Sequence, residues 1–294
     1  MDAILAYLTW QVAADSVSDA ARQAFESVDQ AHTLEKVTHQ AGCKEGRGRR
    51  HTMEHVLKWT IIGHRGAAGL RPENTLPSFQ HALELGCRWL ELDVHCLTDG
   101  ALVVIHDEDL ARTTDQQGPV AELATADIAN IDAGQGTRIP HLPEVFALVS
   151  EHAKRHGELP DYTINIELKG KGTATPVAEF LGAMSSIAPA VLVSSFDHEQ
   201  LRTFRKHDQQ TPVAPLFHRW QARCNDIATD LDASAINMNW RILTPSRINT
   251  IREAGFRLYA YTVNNAVLAT RLQRWGIDGI FTDRPDKFLP RRPA

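Results

Sequence analysis

Trp59-Thr60-Ile61-Ile62-Gly63-His64-Arg65-Gly66 is the stretch on which the fold turns. The apolar run from Trp59 to Ile62 has the length of a short buried strand. It runs out onto a loop bounded by Gly63, Gly66 and Gly69 that carries a histidine and an arginine. Arg71-Pro72-Glu73-Asn74-Thr75 follows, then a helical pattern over residues 76–85. Strand, polar loop and helix make one βα unit, and the same rhythm continues downstream. Further strands are expected near residues 89–94, 162–168, 190–194, 212–216, 235–238, 257–260 and 279–282. Helices are expected near 143–156, 176–187, 198–207, 219–227, 245–254 and 267–275. Several of them open on proline or stop before glycine, as at Gly86, Gly255 and Gly276. Eight strands with intervening helices predict an α/β fold closed as a TIM (β/α)8 barrel, because the G-x-G-x-x-G turn of the open doubly wound sheet is absent. Residues 101–105, after the Asp99-Gly100 turn, add a hairpin strand outside the barrel count. The gap from 107 to 161 is expected to hold a short helix at 124–130 before the one that begins near Pro143.

Upstream of Trp59 the chain reads differently. Leu5, Leu8, Val12, Val17, Phe25, Val28 and Leu34 fall at helical spacing, which predicts one or two amphipathic helices, and residues 42–51 form a glycine-rich basic linker. Met53 offers an alternative start. Residues 1–52 are therefore read as an extension and linker, either disordered or upstream of the native start, and residues 53–294 as the barrel domain.

Composition narrows the partners. A net charge of -5 over 294 residues makes no electrostatic case for nucleic acid or an anionic membrane surface, so any charged ligand must be met locally. Cys43, Cys87, Cys96 and Cys224 form no C-x-x-C pair, which argues against a zinc site or a disulfide framework. No apolar run is long enough to span a bilayer and the first residues lack the order of a secretory signal, so a cytoplasmic location is expected, with no stable membrane association.

The chemistry collects at strand ends. Glu91 and Asp93 are two residues apart on the second expected strand, as are Glu167 and Lys169 on the third, so each pair points to one face at the C-terminal end, where barrel enzymes build their sites. Three carboxylates together repel one another unless a cation neutralises them, and hard oxygen donors suit Mg2+ or Ca2+ better than zinc. A second histidine, His106, follows the apolar run Leu102-Val103-Val104-Ile105. Two histidines at two strand ends suit acid and base catalysis. Taken singly, each also fits a blander role: His64 and Arg65 as solvated turn residues, His106 as a backbone-bonded cap. The neighbouring charges, Arg65 beside His64 and Asp107 beside His106, cast His64 as base and His106 as acid. Most of the remaining histidines, such as His81, His152 and His198, fall on expected helices or loops and are expected at the surface.

The motifs G-H-R-G-A, R-P-E-N-T, E-L-D-V, V-V-I-H-D, R-T-T, I-P-H-L-P-E-V, N-I-E-L-K, V-S-S-F, Y-T-V-N and G-I-F-T-D-R-P occur in this order. Together they resemble the glycerophosphodiester phosphodiesterase family, in particular its short bacterial cytoplasmic members, over residues 59–288. The resemblance implies a TIM barrel, one divalent cation, and hydrolysis of glycerophosphodiesters to sn-glycerol 3-phosphate and an alcohol. It casts His64 and His106 as the catalytic pair, Glu91, Asp93 and Glu167 as metal ligands, and Arg65 and Lys169 as phosphate-binding cations. Glu73 matches the P-E-N glutamate, while Phe196 and Tyr261 match pocket positions, the latter where the family often has tryptophan. The attacking group, water or the adjacent glycerol hydroxyl, stays open. Two alternatives were weighed against this reading. A phospholipid phosphodiester lyase of related fold would need a membrane-docking surface that the sequence does not show, and a non-catalytic phosphodiester-binding barrel would be expected to lack one of these groups.

Overall fold

The structure, a computed structural model, describes residues 59–156, 161–184 and 189–290. The N-terminal helical pattern, the 42–51 linker and the boundary at 52/53 lie outside the described residues. Strands β1 (Thr60–Gly63), β2 (Trp89–Cys96), β3 (Leu102–Val104), β4 (Thr163–Leu168), β5 (Ala190–Ser195), β6 (Val213–Phe217), β7 (Ala235–Asn239), β8 (Arg257–Tyr261) and β9 (Gly279–Thr282) form one sheet. Its order is β1-β9-β8-β7-β6-β5-β4-β2-β3, and a parallel β1–β2 pairing, with Ile62 opposite Trp89, closes the ring. Only β3 is antiparallel, folded back on β2 outside the closed barrel as the hairpin expected from residues 101–105. The pairing draws β2 two residues past the expected end at Val94.

The connecting helices are α1 (Leu76–Glu84), α2 (Thr125–Ile128), α3 (Leu142–His156), α4 (Ala174–Ala183), α5 (His198–His207), α6 (Cys224–Asp230), α7 (Pro245–Glu253) and α8 (Ala266–Trp275). Local chemistry starts them where the sequence indicates. Thr75 accepts from the Ser78 N–H with Pro77 in the first turn of α1, and Thr244 does the same for Arg247 in α7 with Pro245. Helix α6 departs from the expected 219–227. Trp220 supplies the apolar spacing of a helix but packs beneath the Arg247 guanidinium, 4.7 Å from its ring, and the helix begins only at Cys224. Helix α4 ends at Ala183, and its expected end at residue 187 lies outside the described residues. His152, expected at the surface, is buried in α3, edge-on to Tyr162.

Alternation along each strand divides the core in two. Leu90, Leu92 and Val94 of β2 and Ile164, Ile166 and Leu168 of β4 face the helices, meeting Phe79, Leu83, Val145, Phe146 and Val149. Ile62, Leu192, Ala214, Ala235, Tyr259 and Phe281 fill the barrel interior. A third cluster, including Val103, Ile105, Leu110, Val120 and Ile139, supports the excursion after β2 that carries His106.

Candidate active site

The inward positions of β2 and β4 are the ones an apolar barrel would fill with aliphatic groups, and here they carry Glu91, Asp93, Asn165 and Glu167, all buried. Asp93 and Glu167 are register partners, so the two strands present their carboxylates side by side. One oxygen from each of Glu91, Asp93 and Glu167 lies within 4.8 Å of the others. Burial, and then the charges of Asp93 and Glu167, push the Glu91 carboxyl well above its usual range. Burial followed by the Asp93 charge raises Glu167 to about 7. Asp93 behaves oppositely: burial opposes its charge, but Arg65 and Lys169 outweigh burial and hold it below the ordinary range. Among the described residues, Glu91 Oε1 and Asp93 Oδ1 are buried without a hydrogen-bond donor, with Lys169 Nζ 3.5 Å from the latter. Two buried carboxyl oxygens lacking donors, beside a third carboxyl from Glu167, fit a hard divalent cation, whose charge would supply what the donors do not.

The loop after β1 is held in an unusual shape to place its two functional residues. Arg65 has φ 52° and Gly66 φ 83°. A side chain on Gly66 would fall 2.5 Å from Ser78 Oγ and 2.8 Å from the Phe79 nitrogen, so α1 can pack against this turn only if the position is glycine. Ser78 Oγ donates to the Arg65 carbonyl and accepts from the Ala67 N–H, locking the turn onto the helix. The Arg65 N–H donates to Glu91 Oε2 at 2.9 Å, and its guanidinium reaches Glu73 at 2.7 Å and Asp93 at 3.2 Å. Asn74 donates to Asp93 Oδ2 at 2.8 Å from the same loop.

Both histidines are anchored through Nδ1 to a carboxylate, which leaves Nε2 as the working nitrogen. His64 Nδ1 lies 2.6 Å from Asp283 Oδ1, and Asn264 donates to the other Asp283 oxygen at 2.6 Å. Burial opposes the charge on Asp283, but the His64 hydrogen bond and charge, the Asn264 hydrogen bond and the Arg65 charge together outweigh it and its carboxyl stays below the usual range. His106 Nδ1 lies 2.5 Å from Asp107 Oδ1, and Arg112 grips both Asp107 and Glu73. Asp107 thus does reach the ring beside it. The neighbour-charge argument fails in its net effect, because burial, with Arg65 and Lys169 acting in the same direction, lowers His106 despite Asp93 and Asp107. Lys169 Nζ lies 2.8 Å from Glu167 Oε1, 3.0 Å from His106 Nε2 and 5.8 Å from the Phe196 ring centroid.

These groups surround a cavity of about 180 Å3 at the C-terminal mouth of the barrel. His64, Arg65, Glu91, His106, Glu167 and Lys169 line it, with Phe196 and Tyr261 set edge to face, ring centroids 5.7 Å apart. Glu73 lies behind Arg65 and ties it to Arg112, a supporting place in the structure instead of a lining one. Four residues that sequence reasoning left without a role belong to this network: Asn74, Arg112, Asp283 and Asn165. Asp283 carried a signal, since it directly follows the apolar strand Gly279–Thr282 in the position that His64 holds after β1.

A parallel eight-stranded barrel with this constellation at the C-terminal ends of its strands defines a phosphodiester-processing enzyme of the TIM-barrel class. The sequence profile of the glycerophosphoryl diester phosphodiesterase family matches residues 64–287, and the chain belongs to that family of phosphoric diester hydrolases. It is 32% identical over 244 residues to a glycerophosphodiester phosphodiesterase of Caldanaerobacter subterraneus subsp. tengcongensis, covering 79% of this chain and 97% of that protein. A Bacillus subtilis glycerophosphodiester phosphodiesterase is 31% identical, covering 77% and 84% of the two chains. Among solved structures, an Oleispira antarctica phosphodiesterase in complex with the product sn-glycerol-3-phosphate matches with a TM-score of 0.72 and 28% identity, over 78% of this chain and 94% of that one.

Proposed function

We propose that the barrel domain, residues 53–294, is a divalent-cation-dependent hydrolase of small glycerophosphodiesters that releases sn-glycerol 3-phosphate and an alcohol. The observation that carries this reading is the convergence on one cavity of Glu91 and Glu167, with an oxygen of Asp93 within 4.8 Å of theirs, two histidines anchored through Nδ1, and the cations Arg65 and Lys169. Glu91, Asp93 and Glu167 would hold Mg2+ or Ca2+, and the bound ion supplies Lewis acidity toward the phosphoryl group. Arg65, fixed by Glu73 and Asp93, and Lys169 pair with the phosphoryl oxygens as negative charge gathers on them. His64, beside Asp283, takes the proton of the attacking O–H at Nε2, that of water directly or that of the adjacent glycerol hydroxyl with water opening the cyclic phosphate afterwards, and His106 returns a proton from Nε2 to the departing alkoxide as the bond from phosphorus to that oxygen breaks. Phe196 and Tyr261 supply an aromatic part of the cavity wall.

The cavity suits one small polar group, being smaller than the few hundred Å3 of a typical drug-sized pocket. Among the described residues no helix is long and apolar enough to cross a membrane, and Cys87, Cys96 and Cys224 are free thiols. Both observations support action on soluble diesters in the cytoplasm. The test is turnover of glycerophosphocholine, glycerophosphoethanolamine and glycerophosphoglycerol by purified protein, in chelator and after addition of Mg2+ or Ca2+. Cation-restored release of sn-glycerol 3-phosphate is expected, and full turnover in excess chelator would refute the cation's role.

A further inference from the structure

The wall of the cavity beside the carboxylates holds two polar side chains that the reaction above does not use. Asn165 lies two residues before Glu167 on β4 and so shares its inward face, opposite Glu91 in register, while Ser194 on β5 is the register partner of Glu167. Both line the cavity, with exposures of 1% and 0%. Asn165 Nδ2 donates to Ser194 Oγ at 2.9 Å. That bond uses a lone pair of the serine and leaves its O–H free to donate. Asn165 Oδ1 has no hydrogen-bond partner among the described residues. A buried acceptor without a donor costs about 1–3 kcal/mol, so the protein carries a penalty here that a ligand hydroxyl would remove. Leu216 and Phe281 also line the cavity and offer only carbon. One acceptor and one donor, in the same cavity as an apolar surface, form a surface complementary to a short polyol: hydroxyls on the polar side, C–H groups on the other.

We infer that Asn165 and Ser194 form a polyol-reading subsite that binds the free hydroxyls of the glycerol half of the substrate. Asn165 Oδ1 accepts from one hydroxyl, the Ser194 O–H donates to another, and the carbon chain lies against Leu216 and Phe281. The glycerol half thereby occupies the inner end of the cavity and the alcohol to be released points outward past Phe196, which is 44% exposed. This inference rests on the proposed glycerophosphodiester activity and adds to it the residues that select glycerol.

Ser194→Ala and the near-isosteric Asn165→Leu test it in the cation-loaded full chain. The substrates are glycerophosphocholine and its 2-deoxy analogue, the phosphocholine diester of 1,3-propanediol. Wild-type protein should prefer glycerophosphocholine by at least about tenfold in kcat/KM, and each variant should lose about tenfold on it, mostly through KM; on the deoxy analogue the variant whose partner hydroxyl is missing should lose less than about threefold, while the other, whose partner hydroxyl remains, should again lose about tenfold. Inhibition by sn-glycerol 3-phosphate should weaken in parallel, with inhibition by inorganic phosphate changing less than about twofold. Equal losses on both substrates for both variants would show that the pair merely supports the wall or holds a water molecule, and would overturn the inference, as would no loss at all. Should either variant fail to fold, the wild-type comparison still decides, because a wild type that does not distinguish the two diesters refutes the subsite while leaving the activity standing. A wild type inactive on every glycerophosphodiester with cation present removes both readings.

Discussion

Glu167 links cation binding to pH, and its environment sets the size of the effect. Burial first, then the Asp93 charge, moves its carboxyl from an ordinary 4.5 to about 7. At about 1.4 kcal/mol per pH unit this amounts to roughly 3 kcal/mol. Because the folded value lies above the unfolded one, the folded, cation-free protein keeps a proton that the unfolded chain releases earlier. Glu167's contribution is therefore fully present below the unfolded value and is lost as pH rises through about 7. His95, His106, His141 and His198, all lowered chiefly by burial, contribute with the opposite sign. The informative quantity is accordingly the difference in unfolding free energy between wild type and Glu167→Gln in chelator, where the histidine contributions cancel. The amide mimics the neutral acid, so the variant should gain on wild type by about 2.5 kcal/mol more at pH 8 than at pH 5. Cation binding must expel the same proton. Calorimetry near pH 6 in two buffers of different ionisation heat should show about one proton released per cation from Glu167, with Glu91 adding to it, and apparent affinity falling about tenfold per pH unit lost. A pH-independent stability difference, together with cation uptake that releases no proton, would refute the reasoning.

Asp283→Asn should lower kcat by about 10²- to 10⁴-fold with little change in KM, since the amide can still bond to His64 Nδ1 but cannot stabilise the imidazolium or favour its tautomer; a KM effect with unchanged kcat would place Asp283 in substrate binding instead. On a nitrophenyl glycerophosphodiester, whose leaving group departs without a proton, His106→Ala should recover much of its lost rate and His64→Ala should not, and the opposite pattern would exchange their roles. Protein lacking residues 1–52 should stay soluble and keep its turnover, since every motif assigned to the site falls after Trp59; an insoluble or inactive product would give the N-terminal segment a part in the domain.

The order of elements was legible because it rests on local properties. Apolar runs of strand length, prolines in the first helical turn at Pro77 and Pro245, and the glycine after α8 are short-range signals. A count of eight alternating units leaves few topologies other than a closed barrel. The principal site residues were legible for a related reason: period-two spacing puts Glu91 with Asp93 and Glu167 with Lys169 on one face, and strand ends place them at one mouth. Family resemblance then attached roles to them.

What the sequence could not state was which groups meet across strands. Asp283 reaches His64 across 219 positions because β1 and β9 are neighbours only once the barrel closes. Arg112 joins Asp107 to Glu73 through an excursion whose path depends on a separate small core. The same limit explains the failed estimate of His106, where the adjacent Asp107 was visible but burial and the approach of Arg65 and Lys169 were not. Helix α6 began late because Trp220 was taken up by a contact with Arg247. Periodicity and spacing are properties of the chain, whereas burial, charge coupling and hydrogen-bond satisfaction depend on distances that exist only after the strands have closed, and it is those that set the proton affinities and orientations on which the chemistry depends.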